Sequence, residues 1–198
     1  LPNNPTGTTC LTSGSTANLT YTVAGAANAT SFTWTFPSGW VVQSGGTTNT
    51  VVVKPNGTTA GNISVIANNV FTSAAGTTTC SSAAKTLTTA FIPGAPSGVT
   101  ASCFNVGNPL AISSNVVTAT GTNQFQLSVN SPASGTTYSW SAVTVPAGGT
   151  ATLATTTNSG GAIANIATFN FNGQPGSYSV NVTASNATCS SSTPFTFN

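Results

Sequence analysis

Residues 21–50, YTVAGAANATSFTWTFPSGWVVQSGGTTNT, decide the fold. Within them Phe32, Trp34 and Phe36 alternate with threonines, and successive residues of a β-strand point to opposite faces of its sheet. The three aromatic rings are therefore expected on one face of an extended strand. The Pro-Ser-Gly segment at 37–39 ends that strand and a second begins at Trp40, because Pro and Gly interrupt strand pairing. The stretch predicts a half-buried strand and a turn, after which a new strand starts.

The rest of the chain repeats this plan. Short runs with a period of two are separated by turn residues at intervals of about 8 to 12 residues, which favours β-sandwiches. Tyr138 and Trp140 repeat the pair formed by Phe32 and Trp34. The segment FIPGAP at 91–96 has the Pro and Gly density of a connector. The sequence predicts an all-β chain of two tandem immunoglobulin-like β-sandwich domains, residues 1–92 and 93–198.

The chain is almost free of charge. Its 198 residues include Lys54 and Lys85 but no Asp, Glu, Arg or His, whereas an average chain of this length carries about 50 charged residues. Acid–base catalysis, nucleophile–histidine pairs and carboxylate- or imidazole-based metal sites lack the residues that build them. Two lysines form no basic patch for phosphates. We therefore predict a protein that is not an enzyme, uses no metal or cofactor and binds no nucleic acid.

A second explanation of the missing acids stays open. Asp and Asn have the same shape, so some residues shown as amides could be acids in the natural protein. Every exclusion that rests on absent carboxylates would then weaken. Intact mass distinguishes the two explanations, because each acid differs in mass from its amide.

Four cysteines, Cys10, Cys80, Cys103 and Cys189, divide two and two between the halves. No CxxC spacing occurs, so zinc and thioredoxin-like motifs lack support. Of the three pairings that four cysteines permit, one bridge within each half is the simplest. Each such bridge closes a loop long enough to contribute about 4 kcal/mol in the chain-entropy model. Disulfides predict an oxidising compartment outside the cytosol, and free buried thiols are the alternative.

The first half resembles PKD-like repeats, which are immunoglobulin-like modules of Bacteroidetes surface adhesins, including gliding adhesins and large type IX-secreted proteins. The resemblance rests on ATSFTWTFPSGW at 29–40, TNTVVV at 48–53 and GNISVIANN at 61–69. In the second half it is weaker and rests on Tyr138 to Trp140 and on residues 176–186. The resemblance implies a repeat in an extracellular stalk or filament.

The same family commonly carries one cysteine near its start and another just after an Ala-x-Asn step. Cys103 and Cys189 fit that placement, and Cys10 fits as the first cysteine of its half. Cys80 lies further beyond Asn68 than the family pattern implies, behind an apparent insertion. The bridge from Cys10 to Cys80 thus departs from the pattern that supports the other one.

The tryptophans are the candidate ligand contacts. Trp34 and Trp140 lie on the aromatic face of a strand, where a buried tryptophan commonly anchors a sandwich core. We predict core packing for both and treat a sugar-stacking role as the alternative. Trp40 follows a turn, so it is the candidate for contact with a ligand.

Two functions remain after these exclusions. The first is a non-catalytic structural repeat of an extracellular bacterial adhesin, stalk or filament, with neighbouring repeats or filament subunits as partners. The second is a carbohydrate-binding accessory module of a secreted protein, with surface polysaccharide as its partner. Few aromatic residues are left once the core is filled, which favours the first. No run of 18 or more apolar residues predicts a membrane span, and we expect the chain at the cell surface or outside the cell.

Overall fold

The structure is a computed structural model and describes residues 1–105, 108–110, 123–171, 178–190 and 194–197. The chain divides into two compact units, Leu1–Ile92 and Pro93–Asn198, which have the bounds of the two predicted halves. In the part of the chain that the structure describes there are β-strands and no helix. The predicted all-β, immunoglobulin-like fold is confirmed.

The first unit contains ten strands. They are β1 (Thr6–Gly7), β2 (Cys10–Leu11), β3 (Leu19–Thr22), β4 (Ser31–Thr35), β5 (Val41–Ser44), β6 (Thr50–Lys54), β7 (Asn62–Ser73), β8 (Gly76–Ser81), β9 (Lys85–Thr88) and β10 (Ala90–Phe91). One sheet has the order β1-β3-β6-β5, and in the other β7 pairs with β4, β8 and β9. The short strands β2 and β10 pair in parallel. The predicted strand–turn–strand of residues 31–44 is present as β4 and β5.

The core of the first unit forms where the two sheets face each other. Tyr21, Val51 and Val53 of the first sheet are completely buried, as are Ile63 and Val65 of the second. Their neighbours along each strand, some polar and some apolar such as Val52 and Ile66, are less buried and point to the opposite face, which is the period of two that the sequence shows. Burial of such side chains stabilises the fold by about 1.5–3 kcal/mol each.

Among its described residues, the second unit has eight strands. They are β11 (Val99–Asn105), β12 (Asn108–Leu110), β13 (Asn123–Val129), β14 (Thr137–Thr144), β15 (Ala151–Ser159), β16 (Ala162–Phe171), β17 (Ser179–Ser185) and β18 (Phe195–Phe197). One layer follows the order β12-β11-β13-β16, with β15 on the outer side of β16, and the other follows β14-β17-β18. A parallel bridge between Thr137 and Ile163 joins the layers.

The second core again lies between the layers. Leu127, Ala167 and Phe169 of the first layer and Val182 of the second are completely buried. The rings of Phe125 and Phe169 stack with their centroids 5.2 Å apart. Alternation thus places the aromatic and branched residues inside, as predicted for Phe125, Leu127 and the alternating apolar residues of β17.

Candidate functional site

The charged groups of the chain lie apart on different strands. Lys54 ends β6 and is exposed, and Lys85 begins β9 opposite Val65. Among the described residues no group of three or more His, Cys, Asp or Glu could hold a metal ion. The described side chains therefore form no cluster of acids, bases or metal ligands. A functional surface on these residues would act through its shape and its hydrogen bonds.

The fold clearly changes the titration of Tyr21. Its ring is completely buried, and its hydroxyl donates a hydrogen bond of 2.8 Å to the carbonyl oxygen of Thr8. Burial raises the pKa of Tyr21 to about 12, because the phenolate is poorly solvated there. Thr8 lies between β1 and β2, where the chain passes from one partner strand to another. The buried hydroxyl thus fixes that crossover.

The two tryptophans predicted to be core residues both pack inward. Trp140 is 9% exposed, and its indole Nε1 donates to the carbonyl oxygen of Ala164 at 2.6 Å. Trp34 is half-buried against the first core, and its Nε1 donates to the carbonyl oxygen of Thr48 at 2.9 Å. Both indole N–H groups are therefore occupied within the protein.

Trp40 is not the exposed ligand contact that the sequence suggested. The turn at 37–40, closed by a 3.2 Å hydrogen bond from the Trp40 amide to the Pro37 carbonyl oxygen, folds the ring back onto the core. The ring is 9% exposed and lies 6.3 Å from the ring of Phe36. Its indole N–H donates to the carbonyl oxygen of Thr59 at 2.8 Å. A residue after a turn is exposed only if the turn points outward, which the sequence did not determine.

The cysteines differ from the simplest prediction. Cys10 and Cys189 are disulfide-bonded, whereas Cys80 is an exposed free thiol, so the predicted bridge from Cys10 to Cys80 is wrong. The physical reason is the length of β7, which continues past the sandwich and pairs with β8 in a hairpin that carries Cys80 opposite Asn69. The predicted bridge from Cys103 to Cys189 involves the side chain of Cys103, which lies outside the described residues.

A depression of about 660 Å³ opens at one end of the first unit. It lies between the loop that follows β3 and the loop that joins β5 to β6. Among its lining residues, Val23 is buried and Phe32 is half-buried, whereas Thr47, Thr48 and Asn49 are exposed and form the rim. None of its lining residues is charged. Its volume is within the range of about 300–1,000 Å³ that small-molecule sites occupy.

Backbone hydrogen bonds hold this rim in place. The amide of Phe32 donates to the Thr47 carbonyl oxygen at 3.0 Å, and the amide of Val23 donates to the Asn49 carbonyl oxygen at 2.9 Å. The indole of Trp34 binds the Thr48 carbonyl oxygen between them. Three consecutive carbonyl groups of the loop are thus tied to the two sheets.

The second unit closes the equivalent end. Tyr138 replaces Phe32 at the matching strand position, and its hydroxyl oxygen accepts a hydrogen bond from the Ala133 amide at 3.1 Å. The β15–β16 hairpin reaches the same loop, where the Gly135 amide donates to the Gly161 carbonyl oxygen at 3.0 Å. A hydroxyl group and a hairpin tip therefore occupy the place of the depression.

Taken by class, each sandwich is an immunoglobulin-like module. Residues 2–86 match the family described as PKD-like domain, which covers most of the first unit. The resemblance seen in the sequence is supported there, and repeats of this kind are typically non-catalytic structural or binding modules. No curated protein matches the chain.

Among solved structures, a marsupial T cell receptor is 12% identical and has a TM-score of 0.29. The match covers 100% of this chain and 94% of the receptor chain. At that TM-score the likeness carries no further argument about either unit.

Proposed function

We propose that this chain is a non-catalytic structural repeat that spaces and bears load within an extracellular bacterial adhesin, stalk or filament. The observation that carries the proposal is the parallel pairing of β2 with β10, near the two ends of the first unit. The amide of Ala90 donates to the Thr9 carbonyl oxygen and that of Ile92 donates to the Leu11 carbonyl oxygen, both at 2.9 Å.

Parallel terminal strands have a mechanical consequence. The chain passes through β1, which pairs with β3, before it reaches β2, and it leaves the first unit after β10. The amino end of β2 and the carboxyl end of β10 lie at opposite ends of the parallel pair. A repeat of this kind adds its length to a stalk. Tension along the chain also pulls the two strands past each other, so that their hydrogen bonds are loaded together and not one after another.

Two further observations support an extracellular, structural role. Cys10 and Cys189 are disulfide-bonded, and such bonds persist in oxidising compartments. Every buried side-chain nitrogen or oxygen among the described residues has a hydrogen-bond partner, which is the pattern of a rigid core and not of a strained reactive site. In the described part of the chain, no helix is long and apolar enough to span a bilayer.

The decisive experiment is single-molecule pulling of the full chain by its two ends, with a reductant present so that no disulfide shares the load. We expect the first unit to unfold in one step at a force that falls in the Ala90→Pro variant, which lacks the Ala90 N–H donor. The matched control is Ala27→Pro, at the second position of the turn closed by the Ala29 amide and the Ala26 carbonyl oxygen, where proline is favoured. Equal unfolding forces in both variants would sink the load-bearing role.

Neighbouring repeats or filament subunits are the partners that this proposal includes. The edge strand β5 exposes Val41 by 57% and Val42 by 44%, and the chain has almost no like charge to oppose association. An edge strand is a template for another chain unless charge protects it. Light scattering of the full chain is expected to show association that rises with concentration and weakens in Val42→Lys. A strictly monomeric chain at high concentration would argue against self-association.

A further inference from the structure

We infer that the depression at the end of the first unit is a binding site for a neutral saccharide. This goes beyond the structural role, which does not depend on it. The first step is electrostatic: no lining residue carries a charge. An ionic ligand would lose part of its hydration there without gaining a counter-charge. The site therefore selects a ligand that is uncharged.

The second step is the shape of the surface. The half-buried Phe32 and the buried Val23 line the depression, together with Ala24, Ala26 and Ala27 of the adjoining loop. Small side chains allow a ligand to approach the loop backbone closely. A pyranose ring has one face of C–H groups that packs on an aromatic ring and a periphery of hydroxyl groups. An apolar floor with a polar rim fits that distribution.

The third step concerns the rim. Thr47 and Asn49 are exposed, and in the part of the chain that the structure describes their side chains make no hydrogen bond to the protein, unlike the neighbouring Thr48 hydroxyl, which donates to the Gly45 carbonyl oxygen. One amide and one hydroxyl group are thus available as donors and acceptors for sugar hydroxyls. They stand on a loop whose backbone is already fixed, so binding costs little ordering of that loop.

The fourth step is the comparison within the chain. In the second unit the Tyr138 hydroxyl and the β15–β16 hairpin occupy the corresponding place. If this end of each sandwich served only to close its core, both units would have the same structure there, because their strands share one plan. The open end of the first unit is therefore a distinct feature, and the second unit serves as an internal control.

The test uses the ¹⁵N-labelled full chain titrated with neutral cellotetraose, maltotetraose and chitotetraose, and with anionic tetragalacturonate and neutral tetra-alanine as competing probes. We expect at least one neutral tetrasaccharide to shift the backbone amides of residues 24–30 and 47–49, with a Kd of about 1 mM or below, as suits one ring contact and a few hydrogen bonds. The amides of residues 129–136 in the second unit should stay unchanged.

Three variants refine the test. Asn49→Ala removes a rim amide and is expected to weaken binding by about two- to tenfold, the value of one hydrogen bond. Asn18→Ala removes an equally exposed amide outside the depression and should leave binding unchanged. Phe32→Leu keeps an apolar side chain at the core level but loses the aromatic face, and should weaken binding more than Asn49→Ala. Unchanged spectra elsewhere establish that each variant is folded.

Any of four results would overturn the assignment. These are no shift with all three neutral tetrasaccharides, shifts confined to other residues, equal or stronger binding of tetragalacturonate or tetra-alanine, and binding that Asn49→Ala and Phe32→Leu leave unaltered. None of these results bears on the force at which the first unit unfolds, so the structural role and the saccharide site fail separately.

Discussion

The two units share their strand register but finish their cores differently. Trp34 lies opposite Val65 on β7, and Trp140 lies opposite Val182 on β17. Both tryptophans then donate to a backbone carbonyl three residues before a buried core position, Thr48 before Val51 in the first unit and Ala164 before Ala167 in the second. The repeat in the sequence is therefore a repeat of cross-strand pairs, and its differences lie in the connections.

The two units differ in the connection from β5 to β6 in the first unit and from β15 to β16 in the second, and this explains why their cores end differently. In the first unit a five-residue loop at 45–49 follows β5, and a Cβ at Gly45 (φ +74°) would lie 2.0 Å from the Thr50 carbonyl oxygen. In the second unit β15 and β16 are joined by Gly160 and Gly161 alone, both with positive φ, as two-residue hairpins require. The tight hairpin extends the sheet over the end of the core, whereas the loop leaves that end open.

The largest effect that would test this comparison is the loss of each tryptophan. Trp140→Ala is expected to lower the free energy of unfolding of the second unit by about 3–5 kcal/mol, because it empties a buried site. Trp34→Ala should cost the first unit less, since part of that ring already contacts water. Denaturant unfolding followed by hydrogen exchange in each unit measures both. A larger loss for Trp34 would contradict the different burial of the two rings.

A smaller effect is expected at Tyr21. Tyr21→Phe removes the bond to Thr8 and leaves that carbonyl oxygen without its partner, at a cost of about 1–3 kcal/mol. The wild-type chain should also lose stability as the pH rises from about 10, the unfolded pKa, to about 12, the folded pKa. In this window the folded state binds more protons than the unfolded state, so the free energy of unfolding falls with pH.

The thermal midpoint, measured in both chains across this pH range, is the readout. Tyr21→Phe should remove that part of the alkaline loss which comes from this hydroxyl. Between about pH 4 and pH 9 the midpoint of the wild type should stay nearly constant, because the chain has no Asp, Glu or His to titrate. A shift of many degrees between pH 4 and pH 6 would reveal carboxylates in the natural protein.

The smallest effect concerns the strained end of the second unit. Ala164 has φ +54°, a left-handed conformation held by the Trp140 indole at its carbonyl oxygen and by Asn158 at its amide. Ala164→Gly should stabilise the unit by about 0.5–1 kcal/mol, because glycine adopts this conformation without strain. Ala167→Gly, at a buried position of ordinary strand conformation, should destabilise it by about 1 kcal/mol. Destabilisation by both substitutions, measured in urea, would show that Ala164 is not strained.

The alternation in the sequence predicted most of the fold. It correctly predicted that Trp34, Trp140 and alternate residues of β13 and β17 point inward, since a period of two allows each strand only two faces. The same pattern could not orient Trp40, which belongs to a turn and has no such restriction. Cysteine spacing likewise failed for Cys80, because it counts residues along the chain and not the distance by which a hairpin extends from its sheet.

The sequence by itself determined the all-β class and the absence of Asp, Glu and His side chains for acid–base chemistry, because periodicity and side-chain type are local properties. Only the tertiary structure decided which rings are buried, which thiol is free and which end of a sandwich is open. These depend on the directions in which loops leave the sheets. The depression beside Phe32 lies where a five-residue loop joins β5 to β6, whereas a two-residue hairpin joins β15 to β16 in the second unit.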